Sequence, residues 1–181
     1  MACTSLIALP RICGAEGLVA GLDNLYIISY GDLGPVTGAV NGEKYKIATN
    51  GMVNEIGLET GKKFVEVGLL RSSAGFDQKL TKNVSNGTSY FTQTLKVVLA
   101  GISIDNQKFI ESVLNQPVAV ITKLRTGEYC FAGYNGRFEL TEIEGGTGTA
   151  EGDNIGYTLT FTGIDAKVAP IVDETIISTL I

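Results

Sequence analysis

The chain has 181 residues, a charged fraction of 18% and no histidine. This length suits one domain that buries its core without disulfides or a metal ion. Without histidine the chain lacks the commonest general base and metal ligand, which excludes Ser-His-Asp and Cys-His catalysis and Cys/His zinc sites. A mean hydropathy of +0.21, with so few charges, predicts that part of the outer surface is covered in an oligomer.

The formal net charge of −5 is unevenly distributed. Residues 1–125 carry twelve Lys and Arg against ten Asp and Glu, whereas residues 126–181 carry two against nine. No basic stripe is present that could bind nucleic acid tightly. The acidic part of the chain suits contact with a less acidic face of a neighbouring copy or repulsion of a passing polyanion. Solvated acidic strands and loops explain it equally well.

No apolar run approaches the roughly 20 residues that a membrane-spanning helix needs. The N-terminus also lacks the basic start and apolar block of a signal peptide. We therefore expect no membrane insertion by this chain and folding in a cytoplasm. The three cysteines, Cys3, Cys13 and Cys130, are expected to be reduced thiols there, and a pairing of Cys3 with Cys13 stays open.

The first half of the chain predicts an arm followed by short strands. Residues 1–22 contain only Arg11 and Glu16 as charges, so we expect an N-terminal arm that packs on another surface. The 23 glycines lie between short apolar runs, the pattern of turns that join many strands. The predicted strands are residues 25–30, 43–49, 64–70 and 90–100. Within the last of these, residues 95–99 are nearly all apolar, which predicts burial on both faces.

One helix is predicted at about residues 105–116. Asp105 can cap its start, and Pro117 ends it. The apolar stripe that would face the core consists of Phe109, Ile110, Val113 and Leu114.

After the helix, strands are predicted at residues 118–124, 128–132, 137–143 and 155–163. In the last, Tyr157, Leu159 and Phe161 alternate with threonines, which is the period of a strand with one buried face. Residues 168–181 are mostly apolar and predict either a last strand in the same sheet or an arm that reaches a neighbour. The sequence thus predicts a mainly β protein. It would be an antiparallel β-barrel or sandwich over residues 23–167, with one short α-helix and extended terminal arms.

No motif supports catalysis or a bound cofactor. The segment 60–63 (TGKK) lacks the spacing of a phosphate loop, and the segment 145–148 (GGTG) lacks the helix that follows a dinucleotide-binding turn. Exposed strand carboxylates explain Glu139 and Glu142 better than a glycosidase pair does, because the chain has no tryptophan to bind a sugar. We therefore predict no enzyme activity, no cofactor and no metal site.

Several segments near the C-terminus resemble one protein family. They are residues 127–140 (GEYCFAGYNGRFEL), the acidic turn at 145–153 (GGTGTAEGD), the strand at 156–163 (GYTLTFTG) and Ala169-Pro170. Together they resemble the end of the major tail proteins, or tail tube proteins, of tailed bacteriophages. Residues 3–27 resemble tail proteins of phages that infect Bacteroidetes, and the middle third of the chain has no specific resemblance.

The resemblance implies a β-barrel or sandwich with a flanking helix, which forms hexameric rings that stack into a tube. The partners would be other copies of the chain, other phage tail proteins, and DNA in transient, non-specific passage. The location would be the virion, with assembly in the cytoplasm of the bacterial host. We expect Glu139, Glu142 and Glu144 to face the lumen, because they are charged positions on an alternating strand. Residues expected between subunits are Leu6, Ile7, Ile12, Ile171, Val172, Ile176 and Ile177.

Three other functions stay open. The chain could be another ring-forming tail, connector or tail-completion protein, which would form rings that do not stack. It could be the inner tube of a contractile injection system. A monomeric β-barrel that binds apolar ligands or sugars is the third, and it predicts a lined cavity.

Overall fold

The computed structural model describes residues 20–37, 42–70, 72–148 and 155–181 of the chain. These residues form two sheets, two α-helices and a 3-10 turn at Tyr30–Asp32. The strands are β1 (Leu22–Ser29), β2 (Tyr45–Ile47), β3 (Val53–Ile56), β4 (Val65–Val67), β5 (Ala74–Asn83), β6 (Thr88–Ala100), β7 (Val118–Leu124), β8 (Tyr129–Ala132), β9 (Phe138–Gly146), β10 (Gly156–Asp165) and β11 (Ile171–Val172). The helices are α1 (Ile104–Val113) and α2 (Glu174–Leu180).

The two sheets form an open sandwich. The seven-stranded sheet has the order β2-β3-β11-β8-β7-β1-β4, and the four-stranded sheet has the order β5-β6-β10-β9. Every pair is antiparallel except β11 with β3. No strand of one sheet pairs with a strand of the other within the described residues. The predicted mainly β fold is therefore confirmed, and of its two forms the sandwich is the one adopted.

The main hydrophobic core lies between the sheets. The four-stranded sheet contributes Leu95, Leu159 and Phe161 to it. Phe161 of β10 stacks on Phe138 of β9, with ring centroids 6.2 Å apart. Gly163 lies opposite Phe138, where a Cβ atom would approach the Phe138 ring to 2.6 Å. A larger residue at position 163 would therefore push Phe138 out of the core.

A second core covers the other face of the seven-stranded sheet. Ile177 and Leu180 of α2 pack there, together with Leu33 and Phe64 from the connecting segments. The strand residues that they help to cover are Tyr26, Ile28, Ala119, Ile121, Tyr129 and Phe131. Residues 25–28 of β1 and 118–121 of β7 are thus buried on both faces, which explains why these two stretches are continuously apolar.

The prediction that residues 95–99 are buried on both faces is wrong. Leu95, Val97 and Leu99 are at most 5% exposed, whereas Lys96 is exposed and Val98 is partly exposed. The first three side chains point into the sandwich and the other two point away from it. The strand therefore has one core face, and its other face belongs to the molecular surface.

The predicted helix is confirmed as α1, with a different cap. The Ser103 hydroxyl, and not the Asp105 carboxylate, accepts a hydrogen bond from the Asn106 backbone N–H at 3.1 Å. Val113 is buried in the main core, and Phe109 and Ile110 pack against that core from α1. The helix ends at Val113, before Pro117.

The C-terminal segment belongs to the domain. Residues 171–172 form β11, which pairs with β8 and β3 in the seven-stranded sheet. A second helix, α2, follows, and the sequence analysis missed it. Val172 and Ile177 are buried against their own chain, so they offer no side-chain surface to a neighbouring subunit. Ile176 is partly buried in the second core, and Ile171 remains exposed.

The N-terminal predictions concern residues that the structure does not describe. Leu6, Ile7, Ile12, Cys3 and Cys13 lie outside the described residues, as does the predicted arm up to residue 19. The described chain begins at Ala20, and β1 begins at Leu22. The Arg125 guanidinium donates a hydrogen bond to the Ala20 carbonyl at 2.8 Å, which positions the start of β1.

Candidate functional site

The four-stranded sheet has a polar outer face, on the side away from the seven-stranded sheet. Thr158, Thr160 and Thr162 of β10 point to this face, because the alternating Leu159 and Phe161 fill the core. The pairing registers place further polar residues on the same face, namely Asp77 and Lys79 of β5, Thr92, Thr94 and Lys96 of β6, and Glu139, Glu142 and Glu144 of β9. None of these side chains is buried. The sheet is therefore mostly apolar on one side and mostly polar on the other, where Val98 is an apolar exception.

A β-bulge brings the three predicted glutamates onto this face. Phe161 pairs with Leu140 and Thr160 pairs with Glu142, so Thr141 is an extra residue in β9. A regular strand would place Glu139 on one face and Glu142 and Glu144 on the other, because side chains alternate. The bulge shifts this alternation by one residue. Glu139, Glu142 and Glu144 consequently pair with Thr162, Thr160 and Thr158.

The Thr141 side chain ties the bulge to β10. Its hydroxyl lies 3.0 Å from the Thr160 carbonyl and 3.0 Å from the Thr162 hydroxyl. The sequence contains a signal for this bulge. Phe138 and Leu140 are two residues apart, but the next apolar residue is Ile143, three residues further on. A strand that keeps all three toward the core needs one extra residue between Leu140 and Ile143.

The charges on the outer face are segregated. The three glutamates lie along the β9 edge, and neither ion pair within the described part of the chain, Lys62–Asp32 nor Arg125–Asp23, involves them. Lys96 shares a cross-sheet row with Glu142 and Thr160, two strands away from the glutamate, a distance of about 10 Å. The face therefore has an acidic β9 edge, a cation near its middle and one charge of each sign on β5, Asp77 and Lys79, and its described residues form no basic track for a nucleic acid backbone.

Both edges of the four-stranded sheet are long and unpaired within the described residues. Strand β5 has ten residues and β9 has nine. Such an edge presents unpaired backbone N–H and C=O groups, which can bind another strand. Charged side chains and a bulge also protect edges in monomeric proteins. The two edges are therefore surfaces to which a further strand could be added.

Exposed apolar side chains lie at both ends of this sheet. At the β5–β6 hairpin, Leu80 is 52% exposed and Val84 is 83% exposed. At the other end of β6, the exposed residues are Ile102, Ile104 and Ile155. The Gly101 N–H donates to the Ile155 carbonyl at 2.8 Å, which brings these isoleucines together. We call these two surfaces the hairpin tip (residues 80–90) and the isoleucine end (Ile102, Ile104 and Ile155).

An open cleft of about 480 Å³ lies beside an aromatic cluster. The rings of Tyr45 and Tyr134 are 4.7 Å apart there, and the cleft is lined in part by Lys44, Lys46 and Lys167. Burial raises the pKa of Tyr134 far above its usual value, and the neighbouring Asp165 carboxylate raises it further. Burial also raises the pKa of Tyr45. Both phenols stay protonated at neutral pH and supply no base.

The space between the sheets is filled by side chains, including Leu95, Leu159, Phe138 and Phe161, which are all at most 1% exposed. A binder of apolar ligands would need that space for its ligand. No helix in the described part of the chain is long and apolar enough to cross a membrane. The described residues also contain no group of three Cys, Asp or Glu that could hold a metal ion.

The comparisons with known proteins add no relative to these observations. The sequence matches no protein-family model and no curated protein, and the fold matches no solved structure.

Proposed function

We propose that the chain is a structural subunit that assembles with copies of itself into rings, which stack as the tube of a phage tail. One observation carries this proposal: among the described residues, the four-stranded sheet has two long unpaired edges and a mostly polar outer face. The family resemblance of residues 127–170 supports the tail tube among ring-forming proteins. In this role the chain has no catalytic step, and its function is to bind its neighbours.

The strand directions suit closure into a ring. Strands alternate in direction across β5-β6-β10-β9, so β5 and β9 run in opposite directions. Copies related by rotation about an axis roughly along the strands keep those directions. The β9 edge of one copy then meets the β5 edge of the next as an antiparallel pair. Repeated around a closed ring, this contact leaves the sheet without a free edge.

The polar outer face would line the inside of such a ring. The apolar face of the sheet is already covered by the seven-stranded sheet, which would form the outer wall. Threonines with Glu139, Glu142 and Glu144 would then face the lumen, where carboxylates repel a passing DNA backbone. An electron microscopy map of the assembled protein with this face on the outside would overturn the lumen assignment.

Stacking of rings needs two different surfaces at opposite ends of the subunit. The hairpin tip and the isoleucine end are such surfaces, because they lie at opposite ends of β6. A contact between unlike patches repeats without closing and generates an open stack. A tail-completion or connector protein would form the ring contact alone. The inner tube of a contractile injection system would form both contacts, as a phage tail tube does.

Proline substitutions in β5 test the edge contact. The Val98 N–H donates to the Ser73 carbonyl, and the bonded positions alternate along an antiparallel pair, so the Lys79 N–H points to β6 and the Leu80 N–H points outward. Lys79→Pro therefore removes an inward-facing N–H, and Leu80→Pro removes an outward-facing one. We expect Leu80→Pro to leave the monomer folded and to reduce the scattering mass of the assembly to that of the monomer. Lys79→Pro should also lower the melting temperature of the monomer, because it removes a backbone hydrogen bond to β6. Rings that form normally in both variants, each folded, would contradict the edge contact.

A further inference from the structure

A groove between α1 and the edge of the seven-stranded sheet remains unfilled by described residues. Its volume is about 240 Å³. Its apolar walls come from Ile27 of β1, Val65 of β4, Phe109 and Val113 of α1, and Val118 of β7. Val65 is 60% exposed although it lies beside these apolar residues. The groove therefore suits aliphatic side chains along these walls, and most of the rest of its lining is polar, with Ser29, Asp32, Lys63, Ser112 and Gln116.

The wall formed by β4 is also a free strand edge. Strand β4 is the last strand of the seven-stranded sheet and pairs only with β1 among the described strands. No described residue pairs with the backbone on its other side, which lies next to the groove. An exposed edge beside an apolar pocket is the arrangement that binds an extended peptide: the backbone adds to the sheet, and alternate side chains enter the pocket.

The sequence contains a segment with the matching chemistry. The 19 residues before Ala20 carry only Arg11 and Glu16 as charges. They include the aliphatic run Leu6-Ile7-Ala8-Leu9, which ends at Pro10. A run of this kind is long enough to pair with the three residues of β4. No other aliphatic run of this length lies outside the described residues.

A neighbouring copy is within reach as the source of this segment. Ala20 is held by Arg125 at the Leu22 end of β1, whereas the groove lies at the Ser29 end. These ends of an eight-residue strand are about 26 Å apart. Nineteen extended residues span up to about 60 Å, enough to reach a neighbour in the ring.

We propose that the groove between α1 and β4 binds the N-terminal segment, residues 1–19, of a neighbouring copy of the chain. Each subunit then supplies one segment and one groove, a contact that can continue around a closed ring. This inference rests on the proposed ring for its neighbour, but it concerns a surface separate from the β5 and β9 edges. It predicts that the apolar segment strengthens the ring without contributing to the fold of the subunit.

Cysteine cross-linking tests the contact directly. Val65→Cys places a thiol at the groove, and the native Cys3 and Cys13 flank the aliphatic run. Under mild oxidation we expect a ladder of disulfide-linked dimers and larger species on a non-reducing gel. There are two controls, the wild-type chain, which keeps Val65, and Val65→Cys with Cys3→Ser and Cys13→Ser, and neither should give a ladder. Cys130 does not interfere, since it is 8% exposed and burial raises the pKa of its thiol.

Deletion of residues 2–19 provides a second measurement. We expect an unchanged melting temperature for the subunit, and a roughly tenfold higher protein concentration for half-assembly of rings. A cross-link within one chain would overturn the proposal, as would rings that neither cross-link nor respond to the deletion. If the wild-type chain forms no rings at all, the proposed function fails, and that result is distinct from rings that ignore the segment.

Discussion

Asp173 positions the helix that covers the second core. Its carboxylate accepts hydrogen bonds from the Thr175 backbone N–H at 2.9 Å and from the Thr175 hydroxyl at 2.7 Å. These bonds hold the pKa of Asp173 below its usual value of 3.8. They also fix the start of α2, from which Ile177 and Leu180 reach the seven-stranded sheet. One exposed side chain thereby supports the burial of several apolar ones.

The pH dependence of this cap can be predicted. Because the pKa of Asp173 is lower in the folded state, its contribution to stability is complete well above pH 3.8. It is lost as the pH falls through the folded pKa. We expect Asp173→Ala to lower the melting temperature at pH 7. The difference in melting temperature between this variant and the wild type should be smaller at pH 3.

Thermal unfolding followed by circular dichroism at pH 7 and at pH 3 measures that difference in melting temperature. Ser103→Ala provides the control, because the Ser103 hydroxyl caps α1 without titrating. It should cost about 1 kcal/mol at both pH values. If the difference in melting temperature between Asp173→Ala and the wild type stays constant from pH 7 to pH 3, the charge of the Asp173 carboxylate does not stabilise α2.

At the scale of elements, the bulge in β9 decides which face the glutamates occupy. Without Thr141, Leu140 and Glu142 would pair with Phe161 and Thr160 in a regular register, and every following side chain would keep its face. We therefore expect deletion of Thr141 to be tolerated, at a cost of about 1 kcal/mol for the lost hydrogen bonds.

Deletion of Ile143 is the matched comparison. It would place Glu144 opposite Leu159, on the core side, in the partly exposed position that Ile143 occupies, where a carboxylate replaces an apolar side chain next to the core. Chemical denaturation of both deletion variants measures the difference in the free energy of unfolding. Equal stability of the two variants would show that the bulge does not set the face.

The elements that were predictable are those whose period is regular. The stripe that includes Phe109 and Val113 indicated α1, and the threonine alternation of residues 157–162 indicated β10. The helix α2 was missed because its sequence, ETIISTL, is short and rich in β-branched residues, which favour strands. The apolar content of residues 95–99 predicts burial on both faces, but the charged Lys96 among them is evidence against that prediction.

The glutamates illustrate the limit of prediction at the site. Their charge and their position on a strand predicted that Glu139, Glu142 and Glu144 face the same side, and the structure places all three on one face of the sheet. That result depends on Thr141, since a regular strand would have separated them. The hydrogen bonds of Thr141 to β10 involve residues about twenty positions away, so no local pattern specifies them.

At the scale of the whole molecule, the two sheets have different roles. The seven-stranded sheet is covered on both faces by the main core and by α2 with its neighbours, so it forms the body of the domain. The four-stranded sheet is covered on one face only. Low charge content predicted a covered surface, but composition cannot locate it. The free edges, hairpin tip, isoleucine end and α1–β4 groove are the surfaces that assembly would cover.

Negative-stain electron microscopy of the purified chain, with light scattering on the same sample, tests self-assembly most directly. We predict hollow rings that stack into tubes as the protein concentration rises, with a scattering mass of many subunits. Rings that never stack would retain the edge contact and favour a tail-completion role. A compact monomer at every concentration, with no ring in any image, would contradict the proposal that this chain works by binding copies of itself.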